Sequence, residues 1–342
     1  MSRYYLFIIL FIAPLMAQAQ EHKILKKLHI DGTGLGRHIM HADSLLTRSY
    51  KKQGSYDTAY ITRPVQAFTV KLRYNVAGSS IRTKGQFDGR DFNSKLTTSY
   101  QNTVSFALAY RGLSVAFAVN PDKLLGKDKS KSFNFTLYAN RYGMDLAYQD
   151  CRDYTGWSDY GGTRQTFTTD LVHTQLTNMN AYYAFNYRHF SYPAALTQSY
   201  IQHRSAGSWL LALSCINGVL TTSPSDDEQL HGGKLRLADI GVGGGYGYNW
   251  VLPHRWMIHG SLLPTAVVGS FNRMTMNGEK THLPYAFPEM IVTERLSFLH
   301  YLNERHFLNL TFVNYTTIHG STKHIRNVHN KWRLRVCYGF RF

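Results

Sequence analysis

The last twelve residues of the chain, KWRLRVCYGFRF, alternate without a break. Trp332, Leu334, Val336, Tyr338, Phe340 and Phe342 share one face of an extended strand, and Arg333, Arg335, Cys337, Gly339 and Arg341 share the other. Few folds accept an aromatic face backed by an arginine face. A soluble antiparallel sheet sets one face on a core and the other in water. A transmembrane barrel strand sets apolar residues against lipid, polar ones in the lumen and aromatics at the interfaces, and crosses in about nine to eleven residues. The second description fits this strand in length and in both faces. Its apolar set is expected to meet lipid, and Phe342 fits the terminal signature that the barrel-assembly machinery reads in bacterial outer-membrane proteins.

The opening residues fit the same destination. MSRYYLFIILFIAPLMAQAQ has Arg3, an apolar run from Leu6 to Met16 and Ala17-Gln18-Ala19 as an A-x-A cleavage site, which predicts a signal peptide over 1–19. The run is too short to span a bilayer, and no Cys follows the cleavage site to carry a lipid anchor. No later stretch approaches the length of a transmembrane helix. A mean hydropathy of −0.30 does not argue against a membrane barrel, because alternation hides its apolar residues from any running average.

The net charge of +17 would suggest nucleic acid as a partner, but an exported chain rarely meets it, and the basic residues are spread along strands rather than gathered in a block. Outer-membrane lipid, an anionic solute or a charge network in the lumen are the expected partners. The three cysteines allow at most one disulfide and have no zinc-site spacing, and no cofactor or metal is expected.

Residues 20–64 lack alternation and read as a periplasmic arm or lumen plug, with the barrel over 65–342. The barrel reads as all-β and antiparallel, with about twelve strands in a range of ten to fourteen. Its alternating segments number thirteen, starting with FTVKLRY, IRTKGQF and VSFALAY, and an even-stranded barrel has no place for one of them. The parity fails at the N-terminal end. The polar stretch from Gln149 to Thr177 reads as a long outer loop.

Two stretches, YDTAYITRP (Tyr56–Pro64) and AYYAFNYRHFSYPAALTQSYIQHRSAGSWL (Ala181–Leu210), resemble an exported bacterial family, domain of unknown function 4421. The resemblance runs across most of the mature chain. It implies an outer-membrane barrel and no activity, substrate, cofactor or functional residue.

Three classes of function stay open: a non-catalytic barrel acting as a narrow or plugged pore or as a structural or interaction protein, an outer-membrane lipid-modifying enzyme of the acylhydrolase type, and an exported soluble β-sandwich binding protein. His259-Gly260-Ser261 and His319-Gly320-Ser321 have the i, i+2 spacing that lets an imidazole reach a hydroxyl, as an acylhydrolase needs. His259 and Ser261 are expected to face the lumen, whereas His319, His324 and His329 read as solvated loop residues. Gly241, Gly243, Gly245 and Gly247 lie on one face of a strand, which points to curvature of the wall or to room for a plug. The lumen charges expected from alternation are Lys71, Arg73, Arg82, Lys84, Arg188, Arg333, Arg335 and Arg341 against Asp145 and Asp239. Unpaired charges in a narrow dry bore are costly, so these are expected to pair within the wall or with the arm.

Overall fold

A computed structural model describes residues 56–87, 89–110, 113–121, 131–167, 171–223, 233–276, 279–282, 289–321 and 325–342. The expected signal peptide, most of the arm and His324 lie outside the described residues.

A two-residue strand β1 (Ile61–Thr62) precedes β2 (Phe68–Phe87), β3 (Arg90–Thr98), β4 (Gln101–Tyr110), β5 (Leu113–Val119), β6 (Lys131–Tyr138) and β7 (Tyr142–Cys151). Next come β8 (Tyr154–Tyr160), β9 (Thr163–Phe167), β10 (Val172–Ala184), a short helix α1 (Tyr192–Leu196), β11 (Ile201–Gln202) and β12 (Ala206–Thr222). The chain continues through β13 (Gly233–Leu252), β14 (Trp256–Ser270), β15 (Arg273–Met276), β16 (Glu279–His282), β17 (Met290–Tyr301), β18 (His306–Ser321) and β19 (Ile325–Arg341).

Antiparallel ladders run from β6 through β7, β10, β12, β13, β14, β17, β18, β19, β2 and β4 to β5. β5 and β6 are the two ends of this run, and the twelve strands curl into a barrel wall. The surplus thirteenth segment is accounted for: IRTKGQF is the second half of the same 20-residue strand as FTVKLRY. That second half stays paired with β19 on one side and takes β3 in place of β4 on the other, and β3 in turn pairs with β8 of the β8–β9 hairpin. The stretch expected to be an outer loop thus holds a hairpin and the first residues of β10. A second small hairpin, β15–β16, extends β13 at the same end.

The wall alternates as the sequence does. Along β7, β10 and β14 every second residue is buried. Val336 and Tyr338 are 48% and 41% exposed, while Cys337 between them is 2% exposed. The outward set includes Leu72, Tyr74, Phe106, Trp209, Leu211, Tyr246, Leu262 and Phe298, all exposed. So much contiguous apolar surface is rare on a protein that lives in water, and it forms the belt that a lipid bilayer covers. No helix among the described residues is long and apolar enough to cross a membrane.

Continuity of β2 corrects two expected lumen charges. Lys71 and Arg73 share the inward face with buried Asn75, Ser79 and Ile81, so Arg82 and Lys84 fall on the outward face and are exposed. Reading IRTKGQF as a separate strand lost this parity. β13 carries its four alternating glycines inward. A Cβ on Gly243 would run into the carbonyl of Pro264, and one on Gly245 into the carbonyl of Leu262, so at both places the backbone of β14 comes too close for a side chain. A register shift between Ile240 and Gly241 adds to the bend.

The largest apolar core lies inside the barrel. It joins wall residues such as Tyr182, Leu210, Met257, Leu299 and Phe307 to Phe190, Tyr192, Ala194, Ala195 and Leu196 of the connection between β10 and β12.

Candidate functional site

That connection, residues 185–205, turns into the bore from the end where the turns are short. Ser191 caps α1 by accepting a hydrogen bond from the Ala194 amide at 3.2 Å, and Pro193 in the first turn needs no amide partner. The helix is too short to satisfy its own carbonyl end, so Thr197 and Gln198 donate back to it and the wall adds further donors. Ser297 Oγ donates to the Ala195 carbonyl at 2.9 Å, the Lys71 ammonium donates to the Thr197 carbonyl, and the Arg341 guanidinium donates to that of Gln198 at 3.0 Å. Arg341 also lies over the rings of Phe307 and Tyr301.

The helix's side chains join a continuous polar chain through the buried interior. Asn249 Nδ2 donates to the Ser191 carbonyl at 2.9 Å, and its Oδ1 is 2.7 Å from His259 Nδ1. His259 Nε2 is 3.1 Å from Ser261 Oγ, which is 2.8 Å from the Tyr192 hydroxyl. Arg295 donates to that hydroxyl at 3.0 Å and to Asp145 Oδ2 at 2.7 Å. Asp145 also accepts from Tyr138 at 2.6 Å and from Thr136 at 3.1 Å. Its only close cation among the described residues is Arg295, and both are almost wholly buried.

The arm residues cap this plug from outside. β1 pairs with β11, Asp57 donates its amide to the Arg188 carbonyl at 2.9 Å, and Arg63 donates to the Tyr200 hydroxyl at 3.0 Å while lying over its ring. Burial raises the Tyr200 phenol above its ordinary pKa, which keeps it a neutral partner for that guanidinium. The two stretches that carried the family resemblance therefore meet, one laid upon the other. A family match covers residues 55–342, under the description "Domain of unknown function (DUF4421)".

The chain belongs to the DUF4421 family.

No curated protein matches this DUF4421 chain. Solved structures that resemble it include the outer membrane protease OmpT of Escherichia coli, at 6% identity, 82% of this chain, 97% of that one and a TM-score of 0.42. Others are the translocator domain of the autotransporter NalP of Neisseria meningitidis (10% identity, 90% and 98% covered, TM-score 0.32) and the outer membrane protein OprG of Pseudomonas aeruginosa (9%, 84% and 99%, 0.27). Likeness at this level fixes no residue correspondence and no activity.

Of the residues expected in the lumen, Lys71, Arg73, Asp145, Asp239, Arg333, Arg335 and Arg341 lie on the inward face, Arg335 donating to Asn75 Oδ1 at 2.7 Å. Arg188 does not: it is exposed in the turn before α1. His259 and Ser261 face inward, deep under Phe190 and Tyr192. His319 and His329 belong to β18 and β19, not to a loop, and His329 is 2.8 Å from Ser79 Oγ. Gly247 faces the plug, where an added Cβ would lie 3.1 Å from the Phe190 ring, so one glycine leaves room for the plug while its neighbours let the wall bend. The central residues missed in the sequence are Arg295, Asn249 and Tyr192. Parity within MIVTERLSFLHY places Arg295 with Thr293 and Ser297, which would have found it.

Proposed function

We propose that this chain is a non-catalytic outer-membrane barrel whose bore is closed by its own 185–205 segment. The observation that carries the reading is the set of charged donors, Lys71, Arg295 and Arg341, that end on the plug. Hydrogen bonds to charged groups contribute about 1.5–3 kcal/mol each, and burying one large aromatic side chain contributes a similar amount. A segment held by three such bonds and by buried Phe190 and Tyr192 rests in place rather than flickering open. The basic lumen is thus partnered mainly by the plug and the wall. In planar bilayers the intact protein is expected to be electrically silent. Replacing residues 187–203 by a short flexible link should open it, with heat-modifiable gel migration confirming a folded barrel. Wide, steady conductance from the intact protein overturns the reading.

One observation favours an acylhydrolase as a second reading. Asn249, His259 and Ser261 have the orienter, base and nucleophile distances of a hydrolytic triad. Against it, His259 is fully buried, and the Tyr192 hydroxyl sits on the serine where a carbonyl would have to approach. A fluorophosphonate probe separates the two: labelling that disappears in Ser261→Ala favours the hydrolase, and no labelling of the folded protein favours the plug.

A further inference from the structure

We propose that Asp239, Glu289 and His319 form a binding site for a first-row divalent transition-metal ion, at the long-loop end of the lumen and apart from the plug. The three come from separate parts of the wall. Asp239 is inward on β13, Glu289 directly precedes β17, and His319 is inward near the end of β18. One ligand atom from each lies within 4.8 Å of the others. His319 Nδ1 is 3.7 Å from Asp239 Oδ2 and 3.5 Å from Glu289 Oε2.

These separations are too long for hydrogen bonds. They match a shared ion. Metal–nitrogen and metal–oxygen lengths of about 2.0–2.2 Å place neighbouring ligands of a tetrahedral site about 3.3–3.6 Å apart, close to the separations seen. The second observation is the state of the ligand atoms. Asp239 and Glu289 are 1% and 3% exposed, and both oxygens of Asp239, Oε2 of Glu289 and Nδ1 of His319 are buried without a close hydrogen-bond partner among the described residues. Ser270, across the ladder from Asp239, and Asn272 offer that carboxylate polar contacts, and neither carries a charge to balance it. Two carboxylates buried against a single imidazole keep an excess of negative charge that no other described residue answers, and buried charges are ordinarily paired or coordinate a metal. Asn327 faces His319 across the β18–β19 ladder, and its side-chain oxygen is likewise buried without a partner, which offers a fourth ligand.

The donor set selects the ion. Magnesium and calcium favour all-oxygen shells of six or more ligands, whereas an imidazole with carboxylates suits zinc and its neighbours. A bound ion would also staple β13 to β18 across the intervening β14 and β17, so binding should stabilise the barrel.

The test is equilibrium dialysis of the full chain, folded in detergent, against Zn²⁺, with thermal unfolding as a second readout. One tight equivalent of Zn²⁺ and a raised unfolding temperature are expected, with Mg²⁺ giving neither at the same concentration. Asp239→Asn and Glu289→Gln, each checked for folding by heat-modifiable migration, should weaken Zn²⁺ binding by more than about tenfold, since loss of even an outer-sphere partner costs about 10–100-fold. His254→Gln, at an exposed histidine on a short turn, should bind as the parent does. Absence of the tight equivalent, equal binding of Mg²⁺, or parental affinity in both carboxamide variants overturns the proposal.

Discussion

At the scale of single residues, the interior is decided by Arg295 and Asp145. Each is buried, and their 2.7 Å contact is the only ion pair either makes among the described residues. Removing one partner of such a pair leaves the other charged with nothing to answer it, at about 3–5 kcal/mol. Arg295→Met and Asp145→Asn are each expected to destabilise by that amount in urea unfolding from lipid vesicles. Arg295→Met together with Asp145→Asn should cost clearly less than the two single changes added, because no charge is stranded. Strict additivity would show that the two residues do not depend on each other. How much of this was legible follows from parity. Alternation placed Asp145 and Arg341 inward from sequence alone. It said nothing of their partners, because Tyr192 and the Gln198 carbonyl lie on a segment with no period of two. Asp239 was likewise placed in the lumen, but Glu289 sits outside any alternating run, and His319 read as a loop residue because the polar neighbours Gly320 and Ser321 hid the end of its strand.

At the scale of an element, β19 carries the evidence for what surrounds the barrel. Its outward residues Val336 and Tyr338 are exposed while Cys337, Gly339 and Arg341 are buried. Val336→Arg puts a charge on the lipid face near mid-strand and should cost about 2–4 kcal/mol, measured by folding into vesicles. Arg335→Gln should cost less, because the Asn75 side chain it bonds stays next to other polar groups. If the order of these two effects is reversed, the facing is wrong. β13 makes a complementary case. Gly245→Ala places a methyl against the Leu262 carbonyl, which belongs to backbone and has no rotamer to escape into, so this small change should destabilise more than Gly247→Ala, where the nearest neighbours are side chains. Strand identity was readable wherever alternation was clean. Strand extent was not: β2 ran on through IRTKGQF, and β8, β9 and the start of β10 were hidden by polar residues that face water beyond the apolar belt.

At the scale of the whole molecule, residues 20–64 read in the sequence as a periplasmic arm or a lumen plug, because they lack alternation. Among the described residues, the segment that fills the bore is the irregular one between β10 and β12, and residues 56–64 cover it from outside. This shifts where charge would act if the bore were opened. Removing residues 187–203 frees Lys71 and Arg341 from their carbonyl partners, beside Arg73, Arg333 and Arg335 on the same inward faces. Asp145 stays neutralised by Arg295, so the short-turn half of the bore keeps a clear positive excess. Fixed positive charge concentrates anions, and the opened barrel is expected to prefer chloride over potassium, read from the reversal potential in a salt gradient. Charge reversal at Arg335 should weaken that preference. The acidic pair Asp239 and Glu289 at the other end works in the opposite sense. A cation preference in the opened protein would therefore mean that the far constriction, and not the basic half beneath the plug, sets what passes.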